Sequence, residues 1–355
     1  MFGELSPLAT PIGRSTIGPR FYYSRSRLSL FGRGARYFST IRRQMLPWIV
    51  NQIKSAAKRE GCQAILGVYP DEMYLQASYL AAEKLDIPFY SYFHNTYLDN
   101  IAVNPNRARE IQCRVFERSR RVFVMSEGMR SHFESEYQLT NCRTLPHTFE
   151  RYPEQEIIPY QFPVDRPIKI VLFGNFNESN LDATKRFCTT LAAEPEVRLH
   201  LYSEVPRFLL EQRGLPMKSI EYHGSLGSLP LNPMIEELRK YDMLALTHGF
   251  IGGYGPIEYK TIFPTRTIPM LLSGRPLFVH SPPNCFLTKF AEANKIGLVV
   301  NEANPSTISS AFRRFRSDPR QAHHFVQNAR AASSQFFGPN VVQGFKTEMH
   351  LSLKY

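Results

Sequence analysis

The stretch GGYGPIEYKTIFPTRTIPMLLSGRP, residues Gly252 to Pro276, decides how this chain is read. A Gly-rich loop feeds a segment headed by Phe263-Pro264, an apolar helix follows, and Gly274-Arg275-Pro276 leads into the strand Leu277-Phe278-Val279. A Pro in the first helical turn gives up no hydrogen bond, because that N–H is an orphan anyway. Such a helix start offers backbone N–H groups and a positive dipole end to an anion lying above a sheet. The expected ligand there is a phosphate.

Outward from this stretch, short apolar runs alternate with helical patterns. Towards the N-terminus lie the strands Ile168–Phe173, Arg198–Tyr202, Ile220–Tyr222 and Met243–Thr247, separated by helices over Leu181–Ala193, Arg207–Arg213 and Asn232–Lys240. Beyond the stretch follow the Leu277 strand, a helix over Asn284–Asn294, the strand Gly297–Val300 and a long helical end. The first half repeats the pattern, with helices over Ile41–Glu60, Asp71–Leu85 and Asn106–Ser119 and strands over Gln63–Tyr69, Ile87–Phe93 and Arg121–Met125. Strand–helix alternation of this kind predicts an α/β protein with parallel sheets covered on both faces. A stretch from Pro146 to Pro167, rich in Pro, reads as a connection between two domains. The expected organisation is a basic arm (1–40), an N-terminal Rossmann-like domain (41–150), a linker (151–167), a C-terminal Rossmann-like domain (168–335) and a helical tail (336–355). Nothing before residue 41 supplies the buried strand with which a doubly wound domain begins. The N-terminal domain is therefore expected to lack its first strand, because the true start lies upstream or because the arm was remodelled.

The chain has 355 residues, 43% of them hydrophobic, enough for two cores. No apolar run reaches the ~20 residues that span a bilayer, and the N-terminus lacks the apolar core of a secretory signal. A cytoplasmic protein is expected, either free or peripheral at the inner face of the membrane. Five scattered cysteines without CxxC spacing argue against a disulfide framework or a cysteine metal site and suit a reducing compartment. The net charge is +12, and residues 1–59 hold eleven Lys or Arg against one acid, Glu4. That arm, with aromatics interleaved, is open to three readings: a solvated segment, a surface docking on an anionic membrane, or a nucleic-acid contact. The last is the least favoured.

Tyr241-Asp242-Met243-Leu244-Ala245-Leu246, then Phe263-Pro264-Thr265-Arg266, then Leu271-Leu272-Ser273-Gly274-Arg275-Pro276 arrive in an order that resembles the GT-B nucleotide-sugar glycosyltransferases. The match covers roughly residues 168–335. Weaker echoes precede it in Phe93-His94-Asn95 and Val124-Met125-Ser126-Glu127-Gly128-Met129. The resemblance implies two Rossmann-like domains facing a cleft. The C-terminal one would bind a nucleoside diphosphate sugar, and the N-terminal one would offer a glycan or lipid-linked acceptor in cell-surface polysaccharide or glycan assembly. It implies no cofactor and no metal, the nucleotide-sugar being a co-substrate. On the same resemblance Arg266 would meet the diphosphate, with Phe263, Pro264 and Thr265 around it and the loop Gly174-Asn175-Phe176-Asn177 approaching the phosphates through its backbone. His94 would face the reacting sugar. Glu127 opens a helix, where its charge suits the dipole.

The chain departs from the family pattern at two positions. Paired glutamates eight residues apart are replaced by Thr261 and Pro269, and Glu258 stands near enough to substitute for the first. Pro269 also implies that its helix begins later than Phe263-Pro264. The basic pair that relatives place after the first C-terminal strand is missing; Lys185-Arg186, further along, reads as a solvated helix face. A non-catalytic glycan- or nucleotide-binding module on the same fold is the alternative function. No G-x-G-x-x-G follows a strand, which disfavours a dinucleotide enzyme. No DxD motif is present, which disfavours the metal-dependent glycosyltransferase architecture.

Overall fold

A computed structural model describes residues 2–4, 22–24, 39–100, 104–153, 160–227, 229–251 and 255–349, with side chains from Gln44 onward. The side chains of the basic arm therefore lie outside the described residues, as do Gly252–Tyr254 of the opening stretch. Ahead of the main sheets, β1 (Phe2–Glu4) and β2 (Tyr22–Ser24) pair with each other in parallel. The helix α1 (Ser39–Arg59) follows.

The first sheet holds β3 (Ile65–Tyr69), β4 (Phe89–Phe93), β5 (Ser119–Val124) and β6 (Cys142–Thr144), all parallel and in sequential order. Between them run α2 (Glu72–Leu85), α3 (Pro105–Arg118) and α4 (Glu127–Tyr137). Asp71 caps α2 by accepting from the N–H groups of Met73 and Tyr74. β3 is an edge, and no strand from the preceding residues joins it among those described. Sequential order contains no reversal, so this sheet has no topological switch point among its described strands. The three-residue β6, too short to carry a periodic signal, has no counterpart in the sequence reading.

The second sheet holds β7 (Ile168–Phe173), β8 (Val197–Tyr202), β9 (Ile220–Tyr222), β10 (Met243–Thr247), β11 (Leu277–His280) and β12 (Gly297–Val300) in the order β12-β11-β10-β7-β8-β9, all parallel. Building starts at β7, proceeds to β9, then returns to the other side of β7 with β10. This is the doubly wound arrangement, and its switch point lies between the carboxyl ends of β7 and β10. The sheet is flanked by α5 (Leu181–Ala192), α6 (Arg207–Gln212), α7 (Leu231–Leu238), α8 (Pro256–Thr261), α9 (Thr267–Leu272), α10 (Phe286–Asn294), α11 (Pro305–Ser317), α12 (Arg320–Ser333) and α13 (Gly338–Glu348). β7 shows why the run IKIVLF is almost wholly apolar. Ile168, Ile170 and Leu172 enter the core beside Phe187, Phe312 and Phe315. Val171 and Phe173 enter the core on the other face with Phe263, Leu271 and Phe290.

The described chain falls into two compact units. The first is built on β3–β6, and the second holds the residues from Leu145 onward together with Met125–His132. The Pro-rich stretch after Pro146 belongs to the second unit, where Phe149, Tyr160 and Phe162 pack into its cores. The segment carrying Ser126 is held there too. Its hydroxyl donates to the Thr261 carbonyl and accepts the Met129 N–H at 3.0 Å, which caps α4. Gly128 lies so close to Phe286 that an added Cβ would fall 2.6 Å from that residue's Cβ.

The opening stretch is two short helices rather than one. Pro256 occupies the first turn of α8, and Phe263-Pro264 forms the connection to α9. α9 begins at Thr267, so Pro269 falls in its first turn, where its missing N–H costs nothing. The expected late start of this helix is what the structure has.

Candidate functional site at the switch point

The loops after β7 and β10 are latched to each other. The Gly249 N–H donates to the Ser179 carbonyl at 2.8 Å, and the Phe250 N–H to Asp182 Oδ2 at 3.0 Å. A Cβ on Gly249 would lie 2.7 Å from the Ser179 carbonyl oxygen, so the two backbones meet only because residue 249 is glycine. Asn177 organises the first loop, its Oδ1 accepting from the Ser179 N–H (3.2 Å) and hydroxyl (2.6 Å). That side chain is engaged in the turn; Asn175, two residues earlier, faces solvent.

Into the switch point comes Arg266, from the turn between α8 and α9. Its Nη2 donates to the Thr247 carbonyl at the end of β10 (2.8 Å). Its Nη1 lies over Gly174 at the end of β7, 2.5 Å from where a Cβ would stand. Gly174 has φ 141°, a conformation that favours glycine, and its N–H donates to the Tyr202 carbonyl. Two residues 92 positions apart, both expected to contact a diphosphate, are thus in contact. No carboxylate pairs with Arg266 among the described residues, and burial pushes its guanidinium down to about 10.

Around it the side chains are neutral or already paired. His248, almost wholly buried, donates Nε2–H to the Tyr259 carbonyl at 2.9 Å, and burial pushes it down to about 4. His280 donates Nδ1–H to the Val300 carbonyl (2.9 Å), leaving Nε2 to accept from Arg186 at 3.0 Å; burial pushes it, too, down to about 4. Arg186 also lies 4.8 Å over the Phe250 ring and 3.6 Å from Asp182. The reading of Lys185-Arg186 as a solvated face is therefore corrected for Arg186, whose side chain is only 17% exposed. The available signal was the spacing Asp182–Arg186, one turn apart beside the buried stripe Ala183, Phe187 and Leu191.

The remaining expected residues divide. Phe263 is packed among Phe286, Phe290 and Phe336, so its ring anchors the element in the core rather than lining the site. Pro264 and Thr265 form the turn that presents Arg266, their carbonyls accepting from Thr267 and Ile268. Glu258 is buried in the first turn of α8. Thr261, at one replaced glutamate position, donates its hydroxyl to the Ile257 carbonyl within α8, and Pro269, at the other, is buried. Asp242 acts at the opposite end of the strands, binding Arg166 at 2.6 and 2.7 Å and accepting the Lys169 N–H at 2.8 Å. His94 stands at the carboxyl end of β4, in the first unit, against the Tyr92 ring.

Solved structures with this arrangement are numerous. The chain superimposes on a sucrose-phosphate synthase from Thermosynechococcus elongatus with a TM-score of 0.70 at 16% identity, covering 99% of this chain and 88% of that one. It has the GT-B fold. Anabaena HepE, solved in complex with UDP and glucose, gives a TM-score of 0.64 at 13% identity over 94% of this chain and 86% of that one. The lipopolysaccharide outer core galactosyltransferase WaaB gives 0.58 at 13% over 94% and 84%. No family profile matches the sequence, and a comparison with curated proteins finds no similar one. Among the described residues, no helix of this GT-B chain is long and apolar enough to cross a membrane.

Proposed function

We propose that this protein is a glycosyltransferase that takes a sugar from a nucleoside diphosphate donor. The observation that carries the reading is Arg266: a desolvated guanidinium without a carboxylate partner among the described residues, fixed between Gly174 and the Thr247 carbonyl at the switch point of a doubly wound sheet. A desolvated cation without a counter-charge is costly, and a diphosphate supplies two or more negative charges and pairs of oxygens that the planar guanidinium fork can bind bidentately. Ligands of open α/β sheets bind at this place.

In the reaction the acceptor hydroxyl attacks the anomeric carbon as the bond from that carbon to the diphosphate oxygen breaks. Charge accumulates on the leaving diphosphate. Arg266, already desolvated and held by Thr247, meets that charge without reorganising, the condition under which electrostatic stabilisation is strongest. Gly174, without a Cβ, leaves room for the Arg266 guanidinium against the backbone at the end of β7. Arg186 is a second cation at the same strand ends, shared with Asp182 and His280. The acceptor, proposed as a glycan or lipid-linked sugar, and the sugar-facing role of His94 rest on the sequence resemblance.

The test is a thermal-shift panel of UDP, GDP, ADP and TDP. At least one is expected to raise Tm, with Arg266→Ala removing most of the shift. A panel without any shift would sink the proposal. A second reading, a binding module without transfer, is favoured by Thr261 and Pro269 at the two carboxylate positions. Hydrolysis or transfer of the donor that gives the shift would exclude it.

A further inference from the structure

We propose that His200, Glu221 and His223 form a binding site for one divalent cation of the zinc class at the β8–β9 edge of the second sheet. The topology brings the three together. His200 in β8 pairs in register with Glu221 in β9, so their side chains share a face, and His223, two residues beyond Glu221, returns to that face. His200 Nδ1 lies 3.0 Å from His223 Nε2 and 3.5 Å from Glu221 Oε2; His223 Nε2 lies 3.6 Å from Glu221 Oε1. Ligand atoms from all three fall within 4.8 Å of one another. Two imidazole nitrogens on a tetrahedral zinc stand about 3.3 Å apart, from Zn–N bonds of ~2.0–2.1 Å.

A plain hydrogen bond between the two imidazoles accounts for less. It would use one pair of nitrogens and leave the carboxylate beyond good hydrogen-bond reach of both rings. A cation uses all three groups at once. The rings are also held in place by their surroundings. His223 stacks on Tyr202 (4.9 Å between centroids, 26° between planes), and His200 packs on Tyr241 at 4.9 Å. The two tyrosine hydroxyls bond each other at 2.8 Å, and Tyr202 donates to Glu237 at 2.7 Å.

Two imidazoles and one carboxylate without a thiolate suit zinc and the neighbouring transition metals, not magnesium or calcium, which require mostly oxygen ligands. Glu221 and His223 are solvent-exposed, so the ion has an entry route and water can complete its shell. β9 is a three-residue edge strand, and a cation shared with β8 would fasten it. The three ligands are not among the residues of the donor crevice, and the site does not depend on the function proposed above.

The experiment is a titration of the chelator-stripped full chain with Zn2+, read by calorimetry, with Co2+ as a spectroscopic probe. One ion per chain is expected, with visible Co2+ bands of tetrahedral or five-coordinate intensity. His223→Gln and Glu221→Gln, both at exposed positions, should each weaken binding at least tenfold, and Zn2+ should raise Tm in the parent but not in the double variant. The chain has ten histidines, so binding unchanged in both variants would place the ion elsewhere and overturn the proposal. Absence of stoichiometric binding would overturn it as well. Mg2+ or Ca2+ binding as tight as Zn2+ would contradict the assigned class.

Discussion

The guanidinium of Arg266 occupies the space over Gly174 that any other residue's Cβ would fill, with 2.5 Å between Nη1 and that position. Gly174 directly follows β7, and Arg266 comes from the turn between α8 and α9, beyond β10. Their contact makes the switch point a cationic floor. Gly174→Ala is expected to cost about 1–2 kcal/mol for placing a side chain at positive φ, and to push Arg266 aside. Isothermal titration with the diphosphate chosen by the thermal panel should show at least tenfold weaker binding, while the circular dichroism spectrum stays unchanged.

Arg266 trades stability for ligand. Arg266 is a desolvated cation with no carboxylate partner among the described residues, and replacing such a group by an apolar side chain of similar length is often neutral or stabilising. Arg266→Met is therefore expected to leave the ligand-free Tm unchanged or raised, and to abolish the diphosphate-induced shift. A large drop in the ligand-free Tm would mean that the Thr247 hydrogen bond, rather than an anion, is what holds Arg266 in place.

The buried histidines give the fold an acid limit. His248 and His280 are pushed down to about 4, from 6.5 in the unfolded chain, so the unfolded state binds more protons between these values. Their contribution is fully present above pH 6.5 and is lost as the pH falls towards 4, at most ~3 kcal/mol each. Urea midpoints measured from pH 7 to pH 4 should fall with decreasing pH. His280→Gln should flatten part of that slope.

Asp242 separates motif from mechanism. It lies at the amino ends of β7 and β10, where it binds Arg166 and the Lys169 N–H. Asp242→Ala leaves the Lys169 N–H and Arg166 without their shared partner and is expected to cost roughly 1–3 kcal/mol in urea unfolding. Diphosphate affinity, measured where the variant is still folded, should be unaffected, because the site is at the other end of these strands.

Much of the architecture was legible in the order of residues. Both sheets, nearly every helix and the late start of α9 follow from apolar periodicity and from Pro269, since period and proline chemistry are local properties of the chain. Gly174 and Arg266 were each legible as phosphate-side residues from their positions after a strand and at a helix head. Their contact was not, because it depends on the strand order β10-β7-β8, which brings together segments 92 residues apart. Phe263 and Arg186 show the same limit in opposite directions. An aromatic beside a motif entered the core, and a cation on a polar helix stretch turned inward towards His280, because packing against β11 and α10 decides which way each points. The sequence by itself determined where strands and helices form and which residues can carry charge to an anion. Only the tertiary structure decided which of them converge, since β9, β8, β7 and β10 acquire their neighbours by long-range pairing that no local pattern encodes.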